Sequence, residues 1–330
     1  MGHRATRGST RSDPPTVSIG LPVYNGERHI REALDSLLAQ TYRDFELIVS
    51  DNASTDATAE ICRVYAARDQ RIRYVRNPTN IGANPNFRRV LDLARGRYFK
   101  WAACDDVCHP TYLGRCVEML EADRSLVLCH SRTVLVDEEG RPVPDEAIAR
   151  GYLLDARGRP VYVRVCDPPR RFGSPKPHRR FRDVLLATRW CFEVFGVIRT
   201  DALRRTSAFR ESFYGADKVI LAELALMGRF GEVPDGLFFR RCHPDQSTNL
   251  ESAARASVWS GAAAARGLVT QRLLCLRAYA RSIPRADLPM RERLLCQISV
   301  ARLVIDPVRW TEILRHIGRR AILAASEDRA

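Results

Sequence analysis

Two adjacent carboxylates, Asp105 and Asp106, follow a strand-like apolar run and are the residues best suited to chemistry. Neighbouring negative charges repel each other unless a cation or several hydrogen-bond donors offset them. Mg²⁺ and Mn²⁺ typically take one or two protein carboxylates together with phosphate oxygens. The pair therefore predicts a metal site that holds a diphosphate. The alternative is that these carboxylates cap the helix that follows Pro110.

A third carboxylate, Asp51, ends another apolar run and begins the polar segment DNASTD. At the end of a strand it could accept a hydrogen bond from a nucleobase or from a ribose hydroxyl. Asp, Asn and Ser are also ordinary turn residues, so an Asx-turn that closes the loop explains the segment equally well. The spacing alone does not choose between these alternatives.

Two further candidates lie in the second half of the chain. Asp217 follows a Gly-Ala turn and precedes a helical pattern, so it could deprotonate an acceptor hydroxyl as a general base or cap that helix. His243 lies in RRCHPDQST, beside two arginines and a glutamine, and could contact a metal or a diphosphate. A lone histidine is more often an ordinary loop residue, and both alternatives stay open.

The elements that position these residues alternate between strand and helix patterns. Apolar runs predict strands, and residues at helical spacing between them predict helices. The strand-like runs are VSIGLPV, FELIVSD, IRYVRN and RYFKWAA. This alternation predicts an α/β fold with parallel strands, right-handed crossovers and ligands at the carboxyl ends of the strands.

The chain divides into three regions by composition. Residues 1–15 are polar and aperiodic, which predicts a disordered leader. Residues 16–250 carry the strand and helix patterns, with a Pro-, Gly- and Arg-rich segment at about 141–182 that predicts an irregular insertion. Residues 251–330 alternate Ala and Leu with Arg at helical spacing and are interrupted at Pro284, Pro289 and Pro307, which predicts about three basic amphipathic helices.

The net charge of +14 comes almost entirely from arginine, because lysine occurs only three times. General arginine bias explains this charge, and an anionic partner such as a membrane surface or a pyrophosphate is the alternative. Basic residues do not interleave with aromatic ones as in nucleic-acid modules, so we expect no nucleic-acid partner. The ten cysteines form no C-x-x-C pair, and we expect free thiols rather than a zinc site. No signal peptide or spanning segment is recognisable, which favours a cytoplasmic location.

Four segments together resemble the family 2 inverting glycosyltransferases, which have the GT-A fold. They are VSIGLPVYNGERHIREALDSLLAQTYRDFELIVSDNASTDAT, RNPTNIGANPNFRRVLDLARGRYFKWAACDDVCHPTYL, GADKVILAELALMGRF and FRRCHPDQST. The resemblance implies a nucleotide-binding, mixed but mostly parallel sheet flanked by helices, with a C-terminal helical appendage. It also implies a nucleotide-sugar-binding half at 16–130 and an acceptor-binding half at 131–250.

The resemblance also implies roles for individual residues. The first-strand motif that borders the donor nucleotide corresponds to Pro22, Tyr24, Asn25 and Glu27, with Tyr24 positioned to stack on the base. Asp51 corresponds to the residue that reads the base, commonly uracil. Asp105 corresponds to the last acid of the Asp-x-Asp metal motif, and Asp106 to the carboxylate that follows it, next to the donor.

The chain departs from the family pattern in two places, one in each half. Ala103 occupies the first acidic position of the metal motif, so Mn²⁺ or Mg²⁺ would depend on Asp105 with help from His243. Ala216 replaces the Glu of the Glu-Asp base motif, while Asp217 retains the base itself. His243 also lies in a stretch similar to the loop that closes over the donor diphosphate.

The implied activity is inverting transfer of a sugar from a nucleotide sugar, with a UDP-sugar favoured, to a hydroxyl of a glycan, a lipid-linked or a small-molecule acceptor. Two rival functions remain. A sugar-1-phosphate nucleotidyltransferase should carry a Gly-rich phosphate loop after the first strand, which LPVYNGERHI lacks. A catalytically silent binding or assembly protein would bind the donor without turnover. The C-terminal helices could pack on the catalytic domain, mediate dimerisation or contact the inner membrane face peripherally.

Overall fold

The computed structural model describes residues 13–155, 157–158, 160–163, 170–210, 213, 215–246 and 268–305. Most of the predicted leader lies outside the described residues, as do 251–267 and 306–330 of the C-terminal region, including Pro307. The expectations for those segments therefore stay predictions.

The described strands are β1 (Val17–Val23), β2 (Phe45–Asp51), β3 (Ile72–Arg76), β4 (Tyr98–Trp101), β5 (Val107–Cys108), β6 (Leu126–Val136), β7 (Tyr152–Leu154), β8 (Pro160–Tyr162), β9 (Val197–Arg199) and β10 (Arg229–Arg241). The described helices are α1 (Ile30–Leu38), α2 (Thr58–Arg68), α3 (Ala83–Leu93), α4 (Tyr112–Ala122), α5 (Asp145–Arg150), α6 (Pro177–Leu186), α7 (Thr200–Arg204), α8 (Ala216–Met227), α9 (Leu268–Arg285) and α10 (Met290–Ile305). A 3₁₀ turn occupies Phe192–Phe195.

One eight-stranded sheet has the order β3-β2-β1-β4-β9-β6-β10-β5. In its first half, β1 runs parallel to β2 and β4, and β2 runs parallel to β3. All seven residues of β1 are buried, because helices cover both faces of a parallel sheet, and its sequence is therefore continuously apolar. One core lies between the sheet and α1, α2 and α4, and the other lies beneath α3, α6 and α8.

The second half of the sheet makes it mixed. Strand β9 is antiparallel to both β4 and β6, whereas β10 runs parallel to β6 and antiparallel to the short β5. The predicted α/β class, with a mostly parallel sheet flanked by helices, is confirmed. Strand β10 begins at Arg229, before the run GLFFRRC that predicted it, and register shifts interrupt its pairing with β6.

The described residues of the segment at 141–182 are more ordered than their composition predicts, and for them that expectation needs correction. It contains α5, a hairpin of β7 and β8, and the start of α6. Gly151 ends α5 in the left-handed conformation, with φ of 79°. The hairpin contributes Val161 and Val163 to a small satellite core with Val143 and Cys242. Burial of a few apolar side chains therefore offsets the low local propensity.

The C-terminal helices α9 and α10 lie against α6 and α8. Tyr279 and Ile283 of α9 and Cys296 of α10 join the same core as α8, so the predicted packing of this region on the domain is observed for the described part. Pro284 lies inside α9 and does not end it, while Pro289 immediately precedes α10. None of the described helices is long and apolar enough to cross a lipid bilayer.

Candidate active site

The loops after β1 and β2 are joined by hydrogen bonds at the carboxyl edge of the sheet. The backbone N–H of Asn25 donates to Ser54 Oγ at 3.0 Å, and Asn25 Oδ1 accepts from the N–H of Thr55 at 2.9 Å. Glu27 Oε2 accepts from the N–H of Ala57 at 2.8 Å. Asn25 and Glu27, both predicted to border the donor, therefore use their side chains to fix the shape of this edge.

The other two residues of the first-strand motif differ in exposure. Pro22 is buried within β1 and pairs in register with Ser50. Tyr24 follows the strand and is 47% exposed, so its ring is accessible to a ligand at this edge. Stacking of Tyr24 on a base stays a prediction.

Asp51 ends β2 and is wholly buried, with both carboxylate oxygens bonded by the chain itself. Oδ1 accepts from the N–H of Ser54 at 2.8 Å, which is the turn that the sequence allowed. Oδ2 accepts from the hydroxyl of Tyr74 at 2.7 Å and from Nε of Arg76 at 3.2 Å. The turn interpretation is observed, and recognition of a base by Asp51 stays a prediction.

A network of asparagine amides, buried except at the exposed Asn80, supports this edge, and the sequence did not predict it. The Nδ2 of Asn52 donates to Asn80 Oδ1 at 2.8 Å and to the carbonyl of Gly82 at 3.2 Å, while its Oδ1 accepts from Asn77 Nδ2 at 2.9 Å and the N–H of Ile81 at 2.9 Å. The spacing of asparagines in RNPTNIGANPN is the signal that could have found it. The network fixes the loop between β3 and α3.

The fold brings Asp105 and His243 together although 138 residues separate them. Asp105 follows β4, His243 follows β10, and Oδ2 of the carboxylate lies 2.9 Å from Nε2 of the imidazole. Burial raises the pKa of Asp105, but the hydrogen bond and positive charge offered by His243 outweigh it and leave that pKa below the usual value. This pair is the centre of the candidate site.

Arg241 holds the Asp105–Asp106 turn in place, and only the tertiary structure shows this role. It is almost wholly buried. Its backbone N–H donates to Asp106 Oδ1 at 3.0 Å, its Nε to the carbonyl of Asp105 at 3.0 Å and its Nη1 to the carbonyl of Glu138 at 2.6 Å. Its Nη2 pairs with the carboxylate of Glu32 in α1. Neither Asp105 nor Asp106 caps α4, because the N-cap of that helix is Thr111 and no side chain bonds to its first turn as a cap.

Asp106 differs electrostatically from its neighbour. Burial, followed by the negative charge of Asp105, raises the pKa of Asp106. Lys100, buried in β4, opposes this shift with its positive charge. Its ammonium lies over the rings of Tyr112 and Phe238, 4.6 and 5.2 Å from their centroids. The pKa values of the two adjacent carboxyls are therefore shifted in opposite directions. Asp105, which ionises more readily, lies beside His243.

His29 is a second imidazole at the site and was missed in the sequence. Its ring lies 5.1 Å from that of His243 between centroids, and it is 8% exposed. Its Nε2 has no hydrogen-bond partner among the residues that the structure describes. Burial, followed by the charges of His243 and Arg241, lowers the pKa of His29 to about 4, so it is neutral at pH 7.

Asp217 lies in the first turn of α8, where Gly215, with φ of 92°, is the N-cap. The carboxylate is therefore not the cap itself, although its Oδ1 accepts from the N–H of Lys218 at 2.8 Å. Burial raises the pKa of Asp217, and bonds from the Lys218 N–H and the Cys191 thiol only partly offset it. Asn84 Nδ2 donates to the carbonyl of Phe213 at 3.0 Å, which fastens the segment before α8 to the start of α3.

Two side chains at this edge could contribute ligands to a divalent cation. Asp105 and His243 offer one carboxylate and one imidazole on facing loops. Within the described ranges no group of three His, Cys, Asp or Glu side chains is arranged to hold a metal. Phosphate oxygens and water would therefore supply the remaining ligands, as is usual for Mg²⁺.

Comparison with known proteins agrees with this architecture. The model described as glycosyl transferase family 2 matches residues 18–213. An uncharacterized glycosyltransferase of Methanocaldococcus jannaschii is 32% identical over 130 residues, which cover 39% of this chain and 45% of that protein. An uncharacterized protein of Mycobacterium tuberculosis is 41% identical over 120 residues, covering 36% of this chain and 35% of its own. The chain thus spans less than half the length of these curated relatives.

Solved structures show the same fold. TarS 1–349 of Staphylococcus aureus superposes with a TM-score of 0.57 at 18% identity, covering 87% of this chain and 71% of that one. The same protein in complex with UDP gives a TM-score of 0.56. This likeness supports the GT-A architecture of the mixed sheet. Because the family model matches more than half of the sequence, the chain belongs to glycosyl transferase family 2.

Proposed function

We propose that this chain transfers a sugar, with inversion, from a nucleoside diphosphate sugar to a hydroxyl acceptor. The observation that carries the proposal is the 2.9 Å approach of Asp105 and His243 at the carboxyl edge of the sheet. This edge is where open α/β sheets bind their ligands. The family membership supports the same chemistry.

The proposed catalytic base is Asp217. Its carboxylate would take the proton of the acceptor hydroxyl while that oxygen attacks the anomeric carbon and the nucleoside diphosphate departs from the opposite face. Burial raises the pKa of Asp217, which makes its carboxylate a better proton acceptor than an exposed one.

The diphosphate would be held by Asp105 and His243 around Mn²⁺ or Mg²⁺. When bound, such a cation stabilises the negative charge that develops on the leaving group. Asp106, fixed by the N–H of Arg241, would keep the Asp105 turn rigid. On the nucleotide side, Tyr24 would stack on the base, and Asp51 with Arg76 would border it.

We favour a UDP-sugar as donor, because the structurally similar TarS was solved with UDP and UDP-GlcNAc. The proposed acceptor is a glycan, a lipid-linked intermediate or a small molecule, and the proposed location is the cytoplasm or the inner membrane face. The nucleotidyltransferase alternative is disfavoured. The single glycine of the loop after β1, Gly26, already donates its N–H to Thr58 Oγ1 at 2.9 Å and offers no phosphate cradle.

The first test is a thermal-shift titration with UDP, GDP and dTDP, each with and without Mn²⁺. A Mn²⁺-dependent rise in melting temperature with one nucleotide is expected. Absence of any shift would contradict the proposed donor class.

The second test compares Asp217→Asn with the wild type. Loss of the base is expected to slow transfer by about 10² to 10⁴-fold while donor binding is retained. Lost donor affinity with residual turnover would refute the assignment of Asp217. Donor binding without turnover in the wild type would instead support a silent binding protein, to which Ala103 and Ala216 lend some weight.

A further inference from the structure

The outer face of α9 carries a row of arginines. Arg277, Arg281 and Arg285 recur every four residues and are all exposed, so they form one ridge along the helix. None of them pairs with a carboxylate among the residues that the structure describes. Within the described part of the chain, the ridge is therefore a row of positive charge with no paired carboxylate.

The outer face of α10 is apolar with a basic border. Met290, Leu294 and Ile305 are 78%, 55% and 74% exposed. Arg291 and Arg302 lie exposed beside them. Side chains of this size are normally buried, and a row of them along one helix marks a contact surface.

Carboxylates are scarce on this part of the chain. Residues 268–305 contain seven arginines and only two acids, Asp287 and Glu292. Glu292 faces the domain. Its carboxylate accepts hydrogen bonds from the backbone N–H of His178 at 3.0 Å and from the ring Nδ1 of the same histidine at 2.8 Å. The outward face of α10 therefore combines apolar side chains with arginines, and among the described residues no carboxylate pairs with the arginine ridge of α9.

We propose that these outward faces of α9 and α10 form a docking surface for an anionic phospholipid bilayer. An apolar helix face bordered by arginines inserts shallowly into the headgroup region and is attracted by acidic lipids. A second copy of this chain fits less well, because a two-fold interface would place the two arginine ridges against each other.

The docking surface adjoins the proposed catalytic base. Cys275, on α9, lies so close to Gly215 that a Cβ added at that glycine would meet Cys275 Sγ at 3.3 Å. Gly215 is the N-cap of the helix that carries Asp217. A bilayer bound to the outer side of α9 would therefore lie about one helix diameter, roughly 10 Å, from this loop. This step rests on the proposed function and points to an acceptor carried by a membrane lipid.

The test is co-sedimentation of the full chain with vesicles of phosphatidylcholine, with and without phosphatidylglycerol. We expect binding only to the anionic vesicles. The triple variant Arg277→Gln, Arg281→Gln, Arg285→Gln should bind these vesicles on the order of 100-fold more weakly, because each arginine near an anionic surface contributes severalfold.

The matched control is a second triple variant, Arg68→Gln, Arg73→Gln, Arg124→Gln, which replaces three exposed arginines elsewhere. Its net charge equals that of the first triple variant. It should bind almost as the wild type does. Equal weakening of both triple variants would refute the docking surface and leave only an effect of total charge. No binding of the wild type to anionic vesicles would refute it as well.

A second variant, Leu294→Gln with Ile298→Gln, tests the apolar contribution. It should weaken vesicle binding at high salt, where the arginine contribution is screened. If these variants instead convert a dimer to a monomer in sedimentation velocity without changing lipid binding, the occupant is a second copy and the proposal is wrong. The UDP thermal shift should be the same in every variant, so failure of this proposal is distinguishable from failure of the proposed donor chemistry.

Discussion

Replacement of Arg241 by methionine should destabilise the fold and the candidate site together. Methionine retains much of the buried aliphatic stem but removes the donors to the carbonyls of Asp105 and Glu138. Hydrogen bonds to charged groups contribute about 1.5–3 kcal/mol each. The pair with Glu32 adds less than about 1 kcal/mol, because that carboxylate is 61% exposed.

Loss of two such bonds lowers the free energy of unfolding by about 3–6 kcal/mol. Part of this loss is offset, because the variant no longer has a charged guanidinium to bury. We therefore expect the free energy of unfolding to fall by about 2–4 kcal/mol, measured by urea denaturation. The matched control is Arg240→Met, whose side chain approaches Gln246 Oε1 at 3.4 Å and the ring of Phe192 at 5.2 Å. Its charge also acts on Asp105 and Asp106, but no hydrogen bond from it to the Asp105 turn is observed among the described residues. It should cost less than about 1 kcal/mol.

A functional readout accompanies the stability measurement. The Asp105 turn loses its donor in Arg241→Met, so the Mn²⁺-dependent part of UDP binding should weaken in the folded variant. If Arg241→Met and Arg240→Met unfold at the same urea concentration, the role of Arg241 as the support of this turn is refuted.

Three further perturbations test other parts of the site. Burial raises the pKa of Asp217, so this carboxyl stays protonated to higher pH in the folded protein than in the unfolded chain. Its contribution therefore lowers the free energy of unfolding as pH rises from the ordinary carboxyl pKa through the raised one. In denaturant unfolding over that pH range, the free energy of unfolding of the wild type should therefore fall relative to that of Asp217→Asn. Equal pH dependence of the two proteins would contradict this. His243→Asn should weaken Mn²⁺ binding by at least about tenfold in calorimetry with UDP present while UDP alone still binds; unchanged Mn²⁺ affinity would exclude His243 as a ligand. Asn52→Ala should lower the free energy of unfolding by about 2–4 kcal/mol, since it removes the bonds of Asn52 to the Ile81 N–H and the Gly82 carbonyl and one of the two bonds of the buried Asn77 amide. A change below about 0.5 kcal/mol would show that the network adds little to stability.

The first half of the fold could be predicted from local sequence. Strands β1 to β4 and helices α1 to α3 follow one another with apolar residues at the spacing each element requires, and the structure differs mainly at their ends. Parallel strands covered on both faces need continuous apolar runs, so their positions are written in the sequence itself.

The candidate residues were predicted by type but not by environment. Asp51 ends β2, and Asp105 lies in the loop that follows β4, close to the positions that the alternation predicts. The carboxylate of Asp51 turned out to be wholly buried with both oxygens bonded, and no local pattern indicates that. Its partners Tyr74 and Arg76 come from the neighbouring strand β3, whose register against β2 is a property of the sheet.

The sequence by itself determined the α/β class, the order of the first elements and the chemical types at the edge of the sheet, because these depend on contacts between near neighbours in the chain. Only the tertiary structure decided that β9 enters between β4 and β6, that Arg241 clamps the Asp105 turn and that His29 stands beside His243. These arrangements join residues far apart in sequence. Their stability comes from burial and hydrogen bonding between elements, which leave no periodic signal in the chain.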